Sequence, residues 1–371
     1  MQNSEQVAVI DIGSSKISAF VGERGVNGTF IIKGYNEFAY SGFLSGEFLD
    51  KTETEEVLRK LVLTVKQGKT PVKTVYIGVP AGFTKNIVRD AQISFNKKRK
   101  ITDKEIDELY AMGFSGDSTG YSVINRSPIF FELDDFRKTP DAVGEVSVSL
   151  KGRVSYVLCG DSFVSFFRSV LRSEGFNECE FVSVALAEAL YLVSPESRDR
   201  IALIADVGYI TSTVTVIQGD GILYQRSFDM GGGMITAALT EAFNVPFDIA
   251  EKVKRKASLS IDAKDGDVYE IVSGDDVMYF NINKVKRIVN ANLDKLAEEI
   301  DASFKKTRME FPEYLPLLLT GGGITYLRGA KERLSSRLNM NVEVIYPDLP
   351  LYDKPINSSM LSVLNLALEN N

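Results

Sequence analysis

The sequence predicts an α/β chain of two similar halves around a shared cleft, with a small α+β unit inserted into the first half. Three observations carry this. Residues 7–21 and 201–216 repeat one strand–turn–strand plan, as a duplicated fold does. Strand and helix patterns alternate around both copies. A mixed stretch of roughly 80 residues, enough for a small domain, stands between them.

The first copy opens with Val7-Ala8-Val9-Ile10, an apolar run of buried-strand type. Asp11-x-Gly13 breaks it with a residue tolerant of unusual backbone angles. Ser14, Ser15 and Lys16 then place two hydroxyls, free backbone N–H groups and one cation at the tip. Such a turn can wrap an anion. Lys16 is a point charge suited to phosphate, and Asp11 can orient a hydrated divalent metal. A buried hairpin with an ordinary polar turn explains this stretch alone equally well. The second copy shifts the balance: apolar strand, Asp206-x-Gly208, a turn bearing Thr211 and Ser212, then a strand. A ligand between two such turns is gripped from both sides. Each copy runs on to a glycine turn, at residues 25–28 and 219–221.

The totals exclude several classes. The 371 residues are too many for one core and suit two or more domains. Hydrophobic content of 44% and charged content of 25% are ordinary for a soluble globular chain. A net charge of −7 argues against a broad nucleic-acid footprint. Residues 1–6 carry no signal peptide, and only Cys159 and Cys179 are present, so the expected compartment is the cytosol, with reduced thiols. No apolar run approaches the ~20 residues of a membrane span. The chain has no histidine, which removes Ser-His-Asp chemistry, histidine metal ligands and, with two cysteines, a structural zinc site.

In chain order, residues 30–32 read as a third strand and Gly42 and Gly46 as turns. Residues 52–66 read as a helix, with Thr52 and Thr54 as candidate caps and Val57, Leu58, Leu61 and Val65 on one face. Gly68-Lys69-Thr70 looks like the end of a phosphate-binding loop, but the required first glycine falls on Leu63 and Pro71 follows, so it reads as a plain loop. Residues 75–79 read as a strand. The basic run 96–100 reads as a solvated loop, and Thr102 and Glu105 as the capping box of a helix to Met112. Strands are expected at 123–124, 129–131 and 146–150, and helices at 162–173 and 185–193. Gly231, Gly232 and Gly233 open another helix. Asp248 and Glu251 fit a capping box on the next, a purely structural role for Glu251. Residues 283–306 form a long amphipathic helix. The strand 317–320 runs into Gly321, Gly322 and Gly323, expected to stand at a helix N-terminus where bare backbone admits a ligand.

Four elements thus recur in order: the Asp11 hairpin, the Asp206 hairpin, the Glu251-x-x-Lys254 helix and the Gly321–Gly323 turn. This order resembles the actin-like ATPase superfamily. The resemblance implies duplicated actin-like (ribonuclease H-like) halves around a nucleotide cleft, with ATP and Mg²⁺ as ligands. Lys16 would meet phosphate, and Asp11 and Asp206 would address the metal through water. Glu251 and Lys254 would line ribose and adenine, and Gly321, Gly322 and Gly323 would back the adenosine. Gly13, Ser14, Ser15, Gly208, Thr211, Gly231 and Gly232 complete the implied site. Within the superfamily the chain is similar to the FtsA family of bacterial division proteins. The opening Asp11-Ile12-Gly13-Ser14-Ser15-Lys16, the pair Gly42 and Gly46, the strand 75–79, segments 101–106 and 141–144, and Ala250-Glu251-x-x-Lys254 carry that likeness. It implies a first half at 1–80, 160–198 and 346–371, an inserted subdomain at 81–159, and a second half at 199–345 with 246–314 as its smaller subdomain.

Three departures bear on function. Tyr209 and Ile210 stand where the family has glycines, and restrict close approach of phosphate. Val184 occupies the position of a residue that orients water, which valine cannot polarise. Glu188 lies one turn on and reads as structural. Finally, residues 360–368 look like a core helix, not the amphipathic membrane helix of the family. The resemblance implies a cytoplasmic scaffold at the inner face of the membrane at the division site, touching the membrane only indirectly and at most a weak ATPase. Its implied partners are an FtsZ-like tubulin homologue, further division proteins and other copies of itself in a filament. The rival readings are a PilM-like type IV pilus scaffold, a small-molecule kinase of the superfamily, for which no catalytic base is evident, and a nucleotide-free platform.

Overall fold

The structure, a computed structural model, describes residues 6–26, 29–66, 72–114 and 118–370. Asn27 and Gly28 of the first glycine turn, the Gly68-Lys69-Thr70 loop, the start at 1–5 and Asn371 lie outside the described residues.

The first sheet begins as an antiparallel meander of β1 (Val7–Ile12), β2 (Lys16–Arg24) and β3 (Phe30–Ala39). Every residue of β1 is buried, because sheet neighbours flank it and helices cover both faces. A short ribbon follows, β4 (Phe43–Leu44) and β5 (Glu47–Phe48), between Gly42 and Gly46 at φ +91° and +78°. Helix α1 (Lys51–Lys66) is capped by Asp50 rather than by either threonine: the Glu53 N–H donates to Asp50 Oδ1 at 2.9 Å, and Thr54 is buried. Strand β6 (Thr74–Val79) returns parallel to β1.

The inserted unit comprises β7 (Thr84–Lys100), α2 (Asp103–Gly113), β8 (Tyr121–Leu133), β9 (Lys138–Thr139) and β10 (Val146–Gly160), in sheet order β7-β10-β8-β9. The basic run 96–100 is the end of β7 and not a loop. Its backbone is laddered to β10 through Val146↔Lys100 and Ser147↔Arg99, while its side chains stay solvated. The segments 123–124 and 129–131 merge into the single strand β8. The Thr102 N–H donates to Glu105 Oε2 at 2.9 Å, as the capping box requires.

The chain then adds α3 (Asp161–Ser173), β11 (Glu178–Ser183), α4 (Val184–Leu192) and α5 (Pro195–Arg200). The first sheet is complete as β3-β2-β1-β6-β11. The second sheet repeats this plan. It has a meander of β12 (Ala202–Val207), β13 (Ser212–Gln218) and β14 (Gly221–Phe228), then α6 (Gly232–Phe243), α7 (Phe247–Lys256), the hairpin β15 (Val268–Ser273) and β16 (Asp276–Asn281), and α8 (Ile282–Thr307). Parallel strands β17 (Leu317–Thr320) and β18 (Val342–Val344), joined by α9 (Ala330–Leu338), give the order β14-β13-β12-β17-β18. Helix α10 (Ser358–Glu369) crosses back onto the first sheet, where Leu361 and Leu364 share a core with Val9, Phe20 and Val184.

The duplication extends to register. Asp11 pairs with Ser18 on β2 and Gly78 on β6, and Asp206 with Thr213 on β13 and Thr320 on β17. The two aspartates therefore hold equivalent places at the ends of equivalent strands. Two local readings need correction. The Gly321–Gly323 turn does not open a helix; a run of turns intervenes and α9 starts only at Ala330. Helix α7 is preceded by Pro246, so Asp248 lies inside its first turn and Glu251 does not cap it. Cys159 is buried and Cys179 half-buried, and both are free.

Candidate functional site

Each hairpin tip is closed by its glycine. A Cβ on Gly13 would lie 2.9 Å from the Lys16 carbonyl oxygen, and one on Gly208 would lie 2.7 Å from that of Thr211. The tips face each other across a cleft of about 540 Å³, a size ordinary for a small-molecule site. Asp11, Gly13, Ser14, Ser15 and Lys16 line one wall, and Asp206, Gly208, Tyr209 and Thr211 the other. Glu251, Gly321 and Gly322 also reach it, whereas Gly231, Gly232, Lys254 and Gly323 stand behind the wall.

The glycines behind the wall have a packing reason. A Cβ on Gly232 would sit 2.1 Å from the Gly323 carbonyl oxygen, and one on Gly323 would sit 2.1 Å from that of Gly208. Gly231 would similarly strike the Gly208 and Tyr209 carbonyls. Three turns interlock backbone to backbone here. The N–H groups of Gly232 and Gly233 donate to the Gly208 and Tyr209 carbonyls at 3.0 and 2.7 Å, so the start of α6 is already engaged. Gly321, at φ +90°, brings the last turn against Asp206 and Val207.

Lys254 is fully buried. Its ammonium donates to the Gly232 carbonyl at 2.9 Å and pairs with Glu251 at 2.7 Å. Glu251 also accepts from Thr236 at 2.6 Å, Tyr209 at 3.1 Å and Arg255 at 3.0 Å. Burial lowers Lys254 from the ordinary lysine range, and the Glu251 partner opposes it. Tyr209, which could have filled the cleft, is drawn to this wall by that carboxylate. This is how the chain accommodates a tyrosine in place of glycine.

At the other tip, Lys16 pairs with Glu37, which also accepts the Tyr35 hydroxyl. The Ile210 and Thr211 N–H groups donate to Ser14 Oγ at 3.0 and 3.5 Å. The two halves are thus latched together directly.

The floor of the cleft is acidic. Asp11 is buried and accepts from Ser359 at 2.5 Å. Burial pushes it up to about 6, against the opposing pull of Ser359 and Lys16. Burial and the nearby Asp11 charge push Asp206 to about 7. Glu188 is driven well above the carboxylate range by burial and then by Asp206 and Asp11, and its Oε1 has no hydrogen-bond partner. Among the described residues no trio of carboxylates or thiols is close enough to hold a metal directly. Three carboxylates lining one cleft, one with an orphaned oxygen, fit a divalent cation that keeps its water, as Mg²⁺ does. Glu37, Glu188, Arg255 and Ser359 were missed as wall residues. Arg255 was discoverable as the i+4 neighbour of Glu251, and Glu188 as the only charge in an otherwise apolar helix.

The duplicated meander-plus-parallel sheets and the shared cleft define an actin-like ATPase fold. Solved structures agree. A PilM–PilN type IV pilus biogenesis complex matches with a TM-score of 0.66 and 18% identity over 98% of both chains. MreB5 of Spiroplasma citri bound to AMPPNP matches with a TM-score of 0.58 and 11% identity over 99% of this chain and 97% of the other. In sequence, the family model described as cell division protein FtsA matches residues 203–364. The cell division protein FtsA of Staphylococcus epidermidis is 23% identical across 97% of this chain and 78% of its own length. That of Pseudomonas aeruginosa is 18% identical across 94% and 84%. The chain is thus similar in sequence to FtsA proteins over these spans and has the actin-like ATPase fold.

Proposed function

We propose that this chain is an actin-like protein of the bacterial division machinery that holds an adenine nucleotide with hydrated Mg²⁺ between its halves. The observation that carries the nucleotide reading is the equivalence of Asp11 and Asp206 on facing turns at one cleft. Lys16 and the amides at 210 and 211 meet the phosphates, Asp11 and Asp206 hold water of the cation, and Gly321 and Gly322 back the nucleoside. The bound cation neutralises the acidic floor beside the polyphosphate. Val184 on the same wall leaves the attacking water without a polar partner from that position, which supports slow hydrolysis at most. Nucleotide then acts by shifting the balance between open and closed cleft, and closed forms assemble with copies of the chain and with an FtsZ-like tubulin homologue at the membrane's inner face. Among the described residues no helix is long and apolar enough to cross a membrane. The division role is supported by the relatives' shared name and by the family match over 203–364.

The test is equilibrium titration of the protein with a fluorescent ATP analogue in Mg²⁺, beside Lys16→Ala and Asp206→Asn. Saturable binding weakened at least about tenfold by either substitution is expected, the loss of a charge-assisted contact being worth roughly 1.5–3 kcal/mol. Binding indifferent to both would remove the phosphate and cation assignments. Co-sedimentation with a tubulin-like partner, against capture of a pilus inner-membrane peptide, separates the division role from the pilus one.

A further inference from the structure

Helix α4 follows β11 directly and carries one charged residue, Glu188. Ala185, Ala187 and Ala189 flank it, all buried, and none of them can pair with its carboxyl group. Glu188 is 2% exposed and lines the cleft with Asp11 and Asp206, and its Oε1 accepts nothing. The cation at this end of the cleft, Lys16, is committed to Glu37. A buried carboxyl oxygen with no partner is costly, and a purely structural glutamate would show the hydrogen bond that offsets this. Glu188 shows the opposite: a wall residue of the cleft beside two further carboxylates, with its Oε1 buried and unpartnered.

We propose that Glu188 is the third carboxylate of the cation site, accepting hydrogen bonds from water carried by a divalent ion at Asp11 and Asp206. This rests on the nucleotide-cleft reading. It assigns to α4 a polar role one turn beyond Val184, the position from which the fold's water-orienting residue is missing. Glu188 acts through the ion's water and so is a positioning residue.

Mn²⁺ binding, read by loss of the free-ion electron paramagnetic resonance signal, tests this with and without AMPPNP. Glu188→Gln keeps shape and removes charge. It should weaken Mn²⁺ about tenfold or more, as loss of an outer-shell partner does. Its metal-free melting temperature should be equal to or above the wild type's, which a merely structural glutamate would not give. Glu188→Asp should recover part of the affinity and serves if the glutamine variant does not fold. Wild-type Mn²⁺ affinity in Glu188→Gln, with Asp206→Asn impaired, overturns the role of Glu188 and leaves the nucleotide reading standing. Absence of Mn²⁺ binding to the wild-type protein, with or without AMPPNP, overturns both.

Discussion

Ser14 Oγ accepts the backbone N–H of Ile210 at 3.0 Å, joining two turns that lie 196 positions apart in sequence. With the longer contact from Thr211, this occupies donors that a phosphate would take. The two turns are therefore tied together by a hydroxyl at the place proposed for a phosphate oxygen. Ser14→Ala should leave both amides open, and hydrogen exchange at 210 and 211 should accelerate about tenfold or more in the ligand-free protein. Unchanged protection would mean that the latch does not exist in solution.

Glu37 restrains Lys16, the proposed phosphate ligand, in the same manner. Lys16 and Glu37 are both partly exposed, so the pair itself contributes little stability. Its effect lies in the charge presented to a ligand. Glu37→Gln should raise affinity for Mg²⁺-nucleotide about fivefold, a change of roughly 1 kcal/mol, with the melting temperature nearly unmoved. A gain of affinity is hard to produce by damage, so a fall would count directly against Lys16 as a phosphate ligand.

Glu251 and Lys254 hold the second turn. Removing Glu251 charge leaves a fully buried ammonium unpaired, which costs about 3–5 kcal/mol. Glu251→Gln should therefore lower stability in urea by that order. Partners on all sides, against the opposing effect of burial, hold the Glu251 carboxyl below the usual range. An acid whose folded value is depressed contributes stability that is complete above its unfolded value and fades as pH falls through the folded one. Unfolding midpoints measured from neutral pH down through the carboxylate range should fall more steeply for wild type than for Glu251→Gln. Parallel curves would show that the carboxylate is not the clamp.

The interlocked glycines predict a different kind of sensitivity. Gly232→Ala sets a methyl 2.1 Å from the Gly323 carbonyl oxygen, and neither backbone can retreat without opening the other turns. A loss of about 1–3 kcal/mol follows from overpacking of this kind, with nucleotide affinity falling too. Gly120→Ala serves as a control, since nothing lies within 4 Å of its added Cβ; its cost is confined to strain at φ +79°.

Much of this was legible in the sequence where local chemistry settles structure. The Asp-x-Gly turns, the apolar strands before them and the long α8 follow from period and turn chemistry, and each formed. The cross-chain facts were not legible. Nothing near residue 99 says that a run of lysines and arginines will ladder against β10, and nothing near Gly321 says that a helix must wait until Ala330. Glu251 fits a capping box on spacing, yet its carboxylate is taken by Tyr209, Thr236, Lys254 and Arg255. Two of these are near in sequence and two are not, and the tertiary contacts decided. Glu188 was visible as an isolated charge on an apolar helix; its meaning depended on Asp11 and Asp206 arriving beside it.

The equivalence of Asp11 and Asp206 is best tested by isothermal titration of the protein with AMPPNP in Mg²⁺ and again in excess EDTA. One saturable site that needs the divalent ion, and is lost alike in Asp11→Asn and Asp206→Asn, is the expected result. Equal binding in EDTA, or tight binding that survives both substitutions, would contradict a cation shared between the two halves.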